Sequence, residues 1–148
     1  LDSLDSGPVI GYPLVDVEVT LIGGSYDEEK STEMAFGVAA TMACRQAVNN
    51  AHPVLLEPIM NLEVVTPDEY LGEVINTLNK KRAHVAAVDV EQNKQIVRAK
   101  APLAELFGYS TDLRSATQGR ATFTMIFSDF DTIPIKKAEA IIQKIKGV

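Results

Sequence analysis

The amino-acid sequence predicts an α+β fold made of two unequal parts. Apolar and polar residues alternate in several short segments, as in strands with one buried face, and apolar residues recur at helical spacing between them. Charge is divided unevenly: residues 1–57 hold nine acidic and two basic side chains (net −7), and residues 58–148 hold eleven acidic and twelve basic ones (net +1). We therefore expect a partial β-α-β unit over 1–57. A sandwich of order β-α-β-β-α-β with a terminal helix should follow over 58–148.

The first part is predicted to contain a strand and then a helix. The strand lies within residues 12–26, YPLVDVEVTLIGGSY, where apolar side chains alternate with polar ones at Val15, Val17, Val19 and Leu21 until Gly23-Gly24 breaks the pattern. The helix begins after Ser31 or Thr32, either of which can serve as its N-cap, and Glu33 lies in its first turn. Its apolar stripe ends near Asn50 and consists of Met34, Val38 and Met42.

The boundary between the two parts is placed at Pro58. The segment HPVLLEPIMNLEVV has the composition of a strand, but proline has no backbone N–H to donate and is disfavoured in a central strand. We interpret Pro58 as a hinge, with one unit ending near Glu57 and the next starting near Ile59.

The second part is predicted to start its first helix with a capping box. Thr66 is the expected N-cap, Pro67 takes the first helical position and Glu69 closes the box. The buried face of this helix is expected to consist of Tyr70, Leu71, Val74, Ile75 and Leu78.

A hairpin, a second helix and a strand complete this part. Strands over 83–91 and 94–102 are joined by a tight turn at Gln92-Asn93. Pro102 opens a short helix that halts at Gly108, with an apolar side made of Leu103, Leu106 and Phe107 and continued by Tyr109 and Leu113 as far as Gly119.

Residues 120–130 then alternate again, with one side made of Ala121, Phe123, Met125 and Phe127, and a last helix starts near Ile135. This order of elements is the split β-α-β, ferredoxin-like plan.

The sequence contains no recognisable catalytic centre. It lacks the G-x-x-x-x-G-K-[ST] pattern that cradles nucleotide phosphates. His52 and His84 have no carboxylate or cysteine at ligand spacing, and the single cysteine, Cys44, excludes an internal disulfide. No apolar run approaches the ~18–20 residues that span a bilayer. We expect a non-catalytic, metal-free protein, and because Leu1 is not Met we expect a piece of a longer one.

Residues 107–120, FGYSTDLRSATQGR, concentrate hydrogen-bond donors in an acidic chain. One interpretation is structural: a short helix whose turns end at Gly108 and Gly119. The other is functional, because such donors suit phosphate and ribose contacts and Asp112 alone offsets their charge. The donors are Tyr109, Ser110, Thr111, Arg114, Ser115, Gln118 and Arg120, and Arg98 and Lys100 on the preceding strand are expected to extend the patch. Composition leaves both interpretations open.

Residues 23–31, GGSYDEEKS, form a second segment with two interpretations. Four charges and two glycines are typical of a solvated, exposed turn. An exposed aromatic residue, Tyr26, is the feature that a plain turn does not require.

Long stretches of this sequence resemble the C-terminal part of elongation factor G. The resemblance runs from about Gly7 to Phe130 and rests on YPLVDVEVTLIGGSY, EMAFGVAA, LLEPIM followed by VVTPDEYLGEVI, and FGYSTDLRSATQGR. It implies that residues 1–57 are the second half of the factor's fourth domain and that residues 58–148 are its fifth domain.

The resemblance also implies a function. The intact protein is expected to be a ribosome-dependent GTPase that drives tRNA–mRNA translocation in the cytoplasm as a monomer, with no membrane or DNA partner. GTP and magnesium are expected to be bound outside this chain, which itself is expected to carry no cofactor. The tip of the fourth domain is expected to enter the decoding region of the small subunit. The fifth domain is expected to contact large-subunit rRNA near the sarcin-ricin loop and the stalk base.

The resemblance assigns residues to both contacts. The implied tip residues are Gly24, Ser25, Tyr26, Asp27 and Glu28. The implied rRNA-contacting residues are Gly108, Tyr109, Ser110, Thr111, Arg114, Ser115, Gln118, Gly119 and Arg120, with Arg98 and Lys100.

Asp27 departs from the family pattern, since many bacterial members have His after Gly-Ser-Tyr. Asp27 beside Glu28 and Glu29 makes the tip more acidic and a close approach to an RNA backbone less favourable. This departure leaves open a divergent paralogue that acts in ribosome recycling or in another ribosome-linked task. Two alternatives from other classes also stay open: a small-molecule-sensing module that binds through residues 109–118, and a structural dimerisation domain.

Overall fold

The computed structural model describes residues 3–147, and the chain divides into two compact units. We call Leu56–Ile133 the sheet unit, and Leu1–Leu55 with Pro134–Val148 the helical unit. These units differ from the predicted ranges 1–57 and 58–148 at the boundary and in grouping the C-terminal helix with the N-terminal residues. The start of the chain at Leu1 and Asp2 lies outside the described residues.

From α1 onward the strands and helices follow the predicted order. In chain order they are α1 Glu33–Asn50, β1 Leu56–Pro67, α2 Leu71–Asn79, β2 His84–Glu91, β3 Lys94–Pro102, α3 Tyr109–Ala116, β4 Thr122–Thr132 and α4 Ile135–Lys146. The four strands form one sheet of order β2-β3-β1-β4, and every neighbouring pair is antiparallel. The α+β class and the β-α-β-β-α-β order of the sheet unit are confirmed.

The core of the sheet unit lies between one face of the sheet and helices α2 and α3. The strands contribute Leu62, Val64, Val97, Ala99 and Ala101, and the helical side contributes Val74, Leu78, Leu106, Tyr109 and Leu113. Alternation along each strand and i, i+4 spacing along each helix place these side chains on facing surfaces. Burying one large aliphatic side chain contributes about 1.5–3 kcal/mol, so this cluster is the main source of the unit's stability.

The β2–β3 hairpin closes as predicted. Gln92 and Asn93 both have positive φ, 46° and 65°, which is the pattern of a type I′ turn. This turn matches the twist of paired strands and sets the register, in which Glu91 lies opposite Lys94.

The interpretation of Pro58 as a hinge that interrupts the strand is wrong. β1 is continuous through Pro58, which pairs with Phe130 of β4. Pairing of β1 with β3 begins one residue later, at Ile59, so the missing N–H of the proline removes no bond from a ladder on that side. The register with β4 shifts between Ile59 and Met60, a bulge next to the proline.

The predicted capping box is also absent. β1 extends through Pro67, and Asp68–Tyr70 form a 3-10 turn before α2 begins at Leu71. Thr66 is fully buried in the strand, where its side chain bonds to the Pro67 carbonyl rather than capping a helix. Similarly, Pro102 opens only a 3-10 turn, Leu103–Glu105, and not an α-helix.

The strand predicted over residues 12–26 does not form. This segment has no ladder partner, and the alternating side chains of Val15, Val17, Val19 and Leu21 are exposed. Alternation supplies an apolar face, but a strand needs a neighbour to bond its backbone, and the described residues of the helical unit include no strand. The partial β-α-β unit is therefore represented by α1 without strands.

Helix α1 starts as predicted, but none of its side chains is fully buried. The Thr32 hydroxyl accepts a hydrogen bond from the Ala35 N–H at 3.1 Å, which confirms Thr32 as the N-cap. The stripe of Met34, Val38 and Met42 lies on an exposed surface.

Strand β4 lies at an edge of the sheet and places its predicted apolar side toward the helices. Phe123, Met125 and Phe127 lie opposite Val64, Leu62 and Met60 of β1. Phe123 contacts Tyr109, whereas Met125 and Phe127 remain exposed.

Candidate nucleic-acid interface

The donor-rich segment 107–120 folds as a short helix bounded by two left-handed glycines. Gly108 (φ 77°) precedes α3, and Gly119 (φ 75°) follows it and donates its N–H to the Arg114 carbonyl at 2.9 Å. Buried Thr117 closes the last turn, because its hydroxyl donates to the Leu113 carbonyl at 2.8 Å and accepts from the Ala121 N–H at 3.2 Å. The structure thus fixes both ends of the helix.

One side of α3 is anchored in the core. Tyr109 is 0% exposed, and its ring packs edge-on against Phe123 with centroids 5.1 Å apart. Its hydroxyl lies 3.3 Å from the Thr77 hydroxyl, so the polar end of the ring is satisfied. Burial raises the pKa of the Tyr109 phenol above its ordinary value. The sequence placed Tyr109 among the contact residues; the structure corrects this, since its side chain does not reach the surface.

The opposite side of α3 is exposed. We call it the α3 surface and define it by the exposed residues Gly108, Ser110, Thr111, Arg114, Ser115, Gln118, Gly119 and Arg120. Spacing explains the division within the helix, because Thr111 and Ser115 recur at i and i+4, away from Tyr109 and Leu113. Gln118, Gly119 and Arg120 lie in the turn that follows the helix.

The charge of the α3 surface is positive. The carboxylate of Asp112 is paired with Lys81, whose Nζ lies 2.8 Å away. Arg114 has no acidic side chain within salt-bridge distance among residues 3–147. Arg120 approaches Glu69 at 3.9 Å, but both groups are largely exposed, so this pair binds weakly. Both arginines remain available to an anionic partner.

Arg98 and Lys100 do not extend this surface. They alternate along β3 with the core residues Val97, Ala99 and Ala101, and therefore lie on the sheet face opposite α3. They are paired there: Arg98 bonds to Glu63 at 3.3 Å and to Asp89, and Lys100 lies 3.4 Å from Asp129. The prediction that they belong to one patch with α3 is wrong.

An ion-pair cluster holds the chain just ahead of α3. Arg82 donates to both carboxylate oxygens of the buried Glu57, at 2.7 and 3.3 Å, and lies 3.6 Å from Glu105. These hydrogen bonds to Glu57 raise the pKa of the Arg82 guanidinium above its ordinary value. The cluster connects the start of β1 to the 3-10 turn that leads into Gly108, and so positions α3.

Sequence reasoning missed Phe107 as a surface residue. It was assigned to an apolar helix face, but it is 78% exposed beside Gly108. The signal was local: Phe107 precedes a glycine that adopts a left-handed conformation, which turns the chain before α3 begins.

The predicted tip residues lie together in the helical unit. Gly24, Ser25, Tyr26, Asp27 and Glu28 are all exposed, and they end four residues before the N-cap of α1. Tyr26 is 70% exposed. The segment is a surface loop, as the sequence predicts.

Metal-binding and membrane-spanning features are absent from residues 3–147. No group of three His, Cys, Asp or Glu side chains there is placed to hold a metal ion, and no helix there is long and apolar enough to cross a membrane. Cys44 is a partly buried free thiol in α1. His52 and His84 are exposed.

The fold and the α3 surface define an α+β domain of the ferredoxin-like class that presents a cationic, hydroxyl-rich helix. Two family descriptions match this chain: "Elongation factor G, domain IV" over residues 2–52 and "Elongation factor G C-terminus" over residues 54–141. The chain belongs to the elongation factor G family, which confirms the resemblance inferred from the sequence.

Two individual comparisons agree with this assignment. Elongation factor G 2 of Desulfotalea psychrophila (strain LSv54 / DSM 12343) is 63% identical over 148 residues, which are 100% of this chain and 21% of that protein. A crystal structure of a protein from Thermus thermophilus matches with a TM-score of 0.88 and 33% identity, over 99% of this chain and 22% of that one. The chain therefore spans about a fifth of the length of these relatives.

Proposed function

We propose that this chain is the ribosome-contacting C-terminal region of a cytoplasmic GTPase of the elongation factor G family that promotes tRNA–mRNA translocation. Residues 1–57 are assigned to the second half of the fourth domain and residues 58–148 to the fifth. The 63% identity to a relative named Elongation factor G 2, along the whole chain, supports this assignment.

The α3 surface is the single observation that carries the proposal. Two arginines, three hydroxyls and an amide are exposed on α3 and the turn that follows it. Of the carboxylates beside them, Asp112 is paired with Lys81, and Glu69 lies 3.9 Å from Arg120. Such groups bind phosphate and ribose oxygens and position a folded RNA without reading its sequence. We assign large-subunit rRNA near the sarcin-ricin loop and the stalk base as the partner of this surface.

The mechanism is mechanical, and this chain does not perform the chemical step. GTP and magnesium are held elsewhere in the parent protein, since this sequence has no phosphate-cradling pattern. The buried core beneath α3 makes the sheet unit a rigid support, because tightly packed interiors transmit force with little deformation. The tip loop of residues 24–28 occupies the decoding region while α3 bears on rRNA.

The test uses the intact parent protein with Arg114→Ala and Arg120→Ala combined. With each lost phosphate contact, binding releases fewer counterions from the RNA. We therefore expect ribosome affinity to fall about tenfold or more, and the slope of log affinity against log salt concentration to shrink by about 1.5 to 2. The matched control is Arg98→Ala with Lys100→Ala, which removes the same charge from the opposite sheet face. Equal losses in both double variants, or unchanged affinity across salt in the first, would refute the assignment of α3.

A second candidate is a paralogue of the same family that acts in ribosome recycling. The acidic tip of Asp27, Glu28 and Glu29 favours it, because this charge opposes close approach to RNA. Single-round translocation and subunit-splitting assays with the same parent protein separate the two. The small-molecule-sensing alternative requires Tyr109 to be accessible to a ligand, but its side chain is buried in the core.

A further inference from the structure

The tip loop contains an aspartate, Asp27, whose backbone groups and carboxylate Oδ1 are hydrogen-bonded to residues 29–31. The Asp27 Oδ1 accepts hydrogen bonds from the N–H groups of Glu29 at 3.0 Å and Lys30 at 3.1 Å. The Asp27 N–H donates to the Ser31 hydroxyl at 2.8 Å, and the Asp27 carbonyl accepts from the Ser31 N–H at 2.9 Å. Residues 27–31 therefore form a closed turn built around one side chain.

This turn is continuous with a capped helix. Thr32 follows Ser31 directly and caps α1 by accepting from the Ala35 N–H at 3.1 Å. No flexible residue separates the turn from the helix, so the position of the loop is tied to the axis of α1.

Tyr26 lies immediately before the turn, and unlike Asp27 its side chain makes no hydrogen bond that holds the described loop together. It is 70% exposed, and within residues 3–147 its hydroxyl makes no hydrogen bond. An exposed aromatic ring held on a fixed backbone suits stacking on an unpaired base, which adds affinity without sequence readout.

We propose that Asp27 is a positioning residue of the tip, which holds the loop so that Tyr26 is presented to the nucleic-acid partner. This inference rests on the proposed function. The Asp27 carboxylate accepts two backbone hydrogen bonds, and the two N–H dipoles directed at its Oδ1 offset its charge. The acidic residue count of the tip therefore overstates its repulsion of RNA.

The chemistry explains why aspartate suits this position. A carboxylate on a short side chain reaches the N–H groups two and three residues ahead, and asparagine reproduces this geometry through its own Oδ1 without the charge. Alanine removes the acceptor. Asn and Ala at position 27 thus separate the effect of the turn from the effect of the charge.

The test compares Asp27→Asn, Asp27→Ala and Tyr26→Ala in the intact parent protein, with Glu18→Gln as the charge-matched control outside the tip. Glu18 is exposed and makes no side-chain hydrogen bond among the described residues, so its change removes one charge and leaves the turn. We expect single-round translocation to slow about tenfold in Asp27→Ala and in Tyr26→Ala, and to stay within about twofold of wild type in Asp27→Asn and Glu18→Gln. The Asp27→Ala, Tyr26→Ala double variant should be no slower than Tyr26→Ala.

Amide hydrogen exchange at Glu29 and Lys30 supplies a readout independent of the ribosome. These amides should exchange about 3- to 10-fold faster in Asp27→Ala and at the wild-type rate in Asp27→Asn. Equal translocation rates for the Asn and Ala variants, or unchanged exchange in Asp27→Ala, would overturn the positioning role. A wild-type parent that neither binds ribosomes nor translocates would instead overturn the proposed function, while exchange would still decide whether Asp27 holds the loop.

Discussion

The sheet unit and the helical unit contain similar apolar patterns with different outcomes. In β1 the alternating residues Leu62 and Val64 are buried under α2 and α3. In the segment 12–26 the alternating valines are exposed and no strand forms. The two outcomes differ because β1 is hydrogen-bonded to a strand on each side, whereas the segment 12–26 has no neighbouring strand among the described residues. Alternation determines which side of a strand is apolar, but the strand forms only where a partner strand bonds its backbone.

The strongest way to break this comparison is to delete one apolar side chain from each unit. Leu78→Ala, in the core of the sheet unit, should lower the free energy of unfolding by about 2–5 kcal/mol. Met42→Ala, on the exposed stripe of α1, should change it by less than about 0.5 kcal/mol. Urea denaturation of the 148-residue chain, followed by circular dichroism, measures both. A loss in Met42→Ala equal to that in Leu78→Ala would mean that α1 is packed in solution.

A smaller effect is expected from the ion pairs of the sheet unit. Glu57→Gln removes the charge opposite Arg82 from a buried position, and we expect a loss of about 2 kcal/mol. Glu63→Gln is the matched control, because its partner Arg98 is exposed and such pairs contribute less than about 1 kcal/mol. The urea denaturation midpoints of the two variants, each compared with that of the wild type, measure these losses. Equal shifts would show that burial of Glu57 does not strengthen its pair.

The smallest effect should come from the Tyr109 hydroxyl and depend on pH. The folded pKa of Tyr109 is raised by burial, so the folded protein holds this proton more tightly than the unfolded chain. Its contribution is fully present below the unfolded pKa of about 10 and is lost as pH rises through the folded pKa. Tyr109→Phe should therefore flatten the fall in stability above about pH 10.

At neutral pH the same variant should cost about 1 kcal/mol or less, because Thr77 keeps its bond to the Val74 carbonyl at 2.7 Å. Thermal melts from about pH 8 to about pH 11, on both sides of the ordinary tyrosine pKa, provide the measurement. An identical alkaline slope in the variant and the wild type would show that the Tyr109 phenol does not govern it.

The sequence predicted those parts of the fold that are determined locally. The Gln92-Asn93 turn, the Thr32 cap and the Val74–Leu78 helix face each depend on a few neighbouring residues, and all three are present. Pro58 was misjudged because its tolerance depends on where β3 pairing starts, which is a property of the sheet. The same holds for Thr66, where strand β1 extends over the residues that would have capped a helix.

The candidate site was predicted in composition but not in orientation. The sequence pattern counted Tyr109 among the donors of the segment, although its spacing with Leu113 also placed it on the apolar side. In the structure Tyr109 lies in the core and Arg114 on the surface. Arg98 and Lys100 were grouped with α3 by their nearness in sequence, although alternation along β3 places them on the other face. The hydrogen bonds of Asp27 could not be found without coordinates, because Asp in a turn is common.

Strand β4 has a practical consequence. It is an 11-residue edge strand that pairs with no second strand among residues 3–147, and its Met125, Ile126 and Phe127 are exposed. Edges of this kind template aggregation between molecules, and flanking charges such as Asp129 and Asp131 act as gatekeepers against it. These two charges should accordingly help to keep the isolated chain dispersed although its edge strand is apolar.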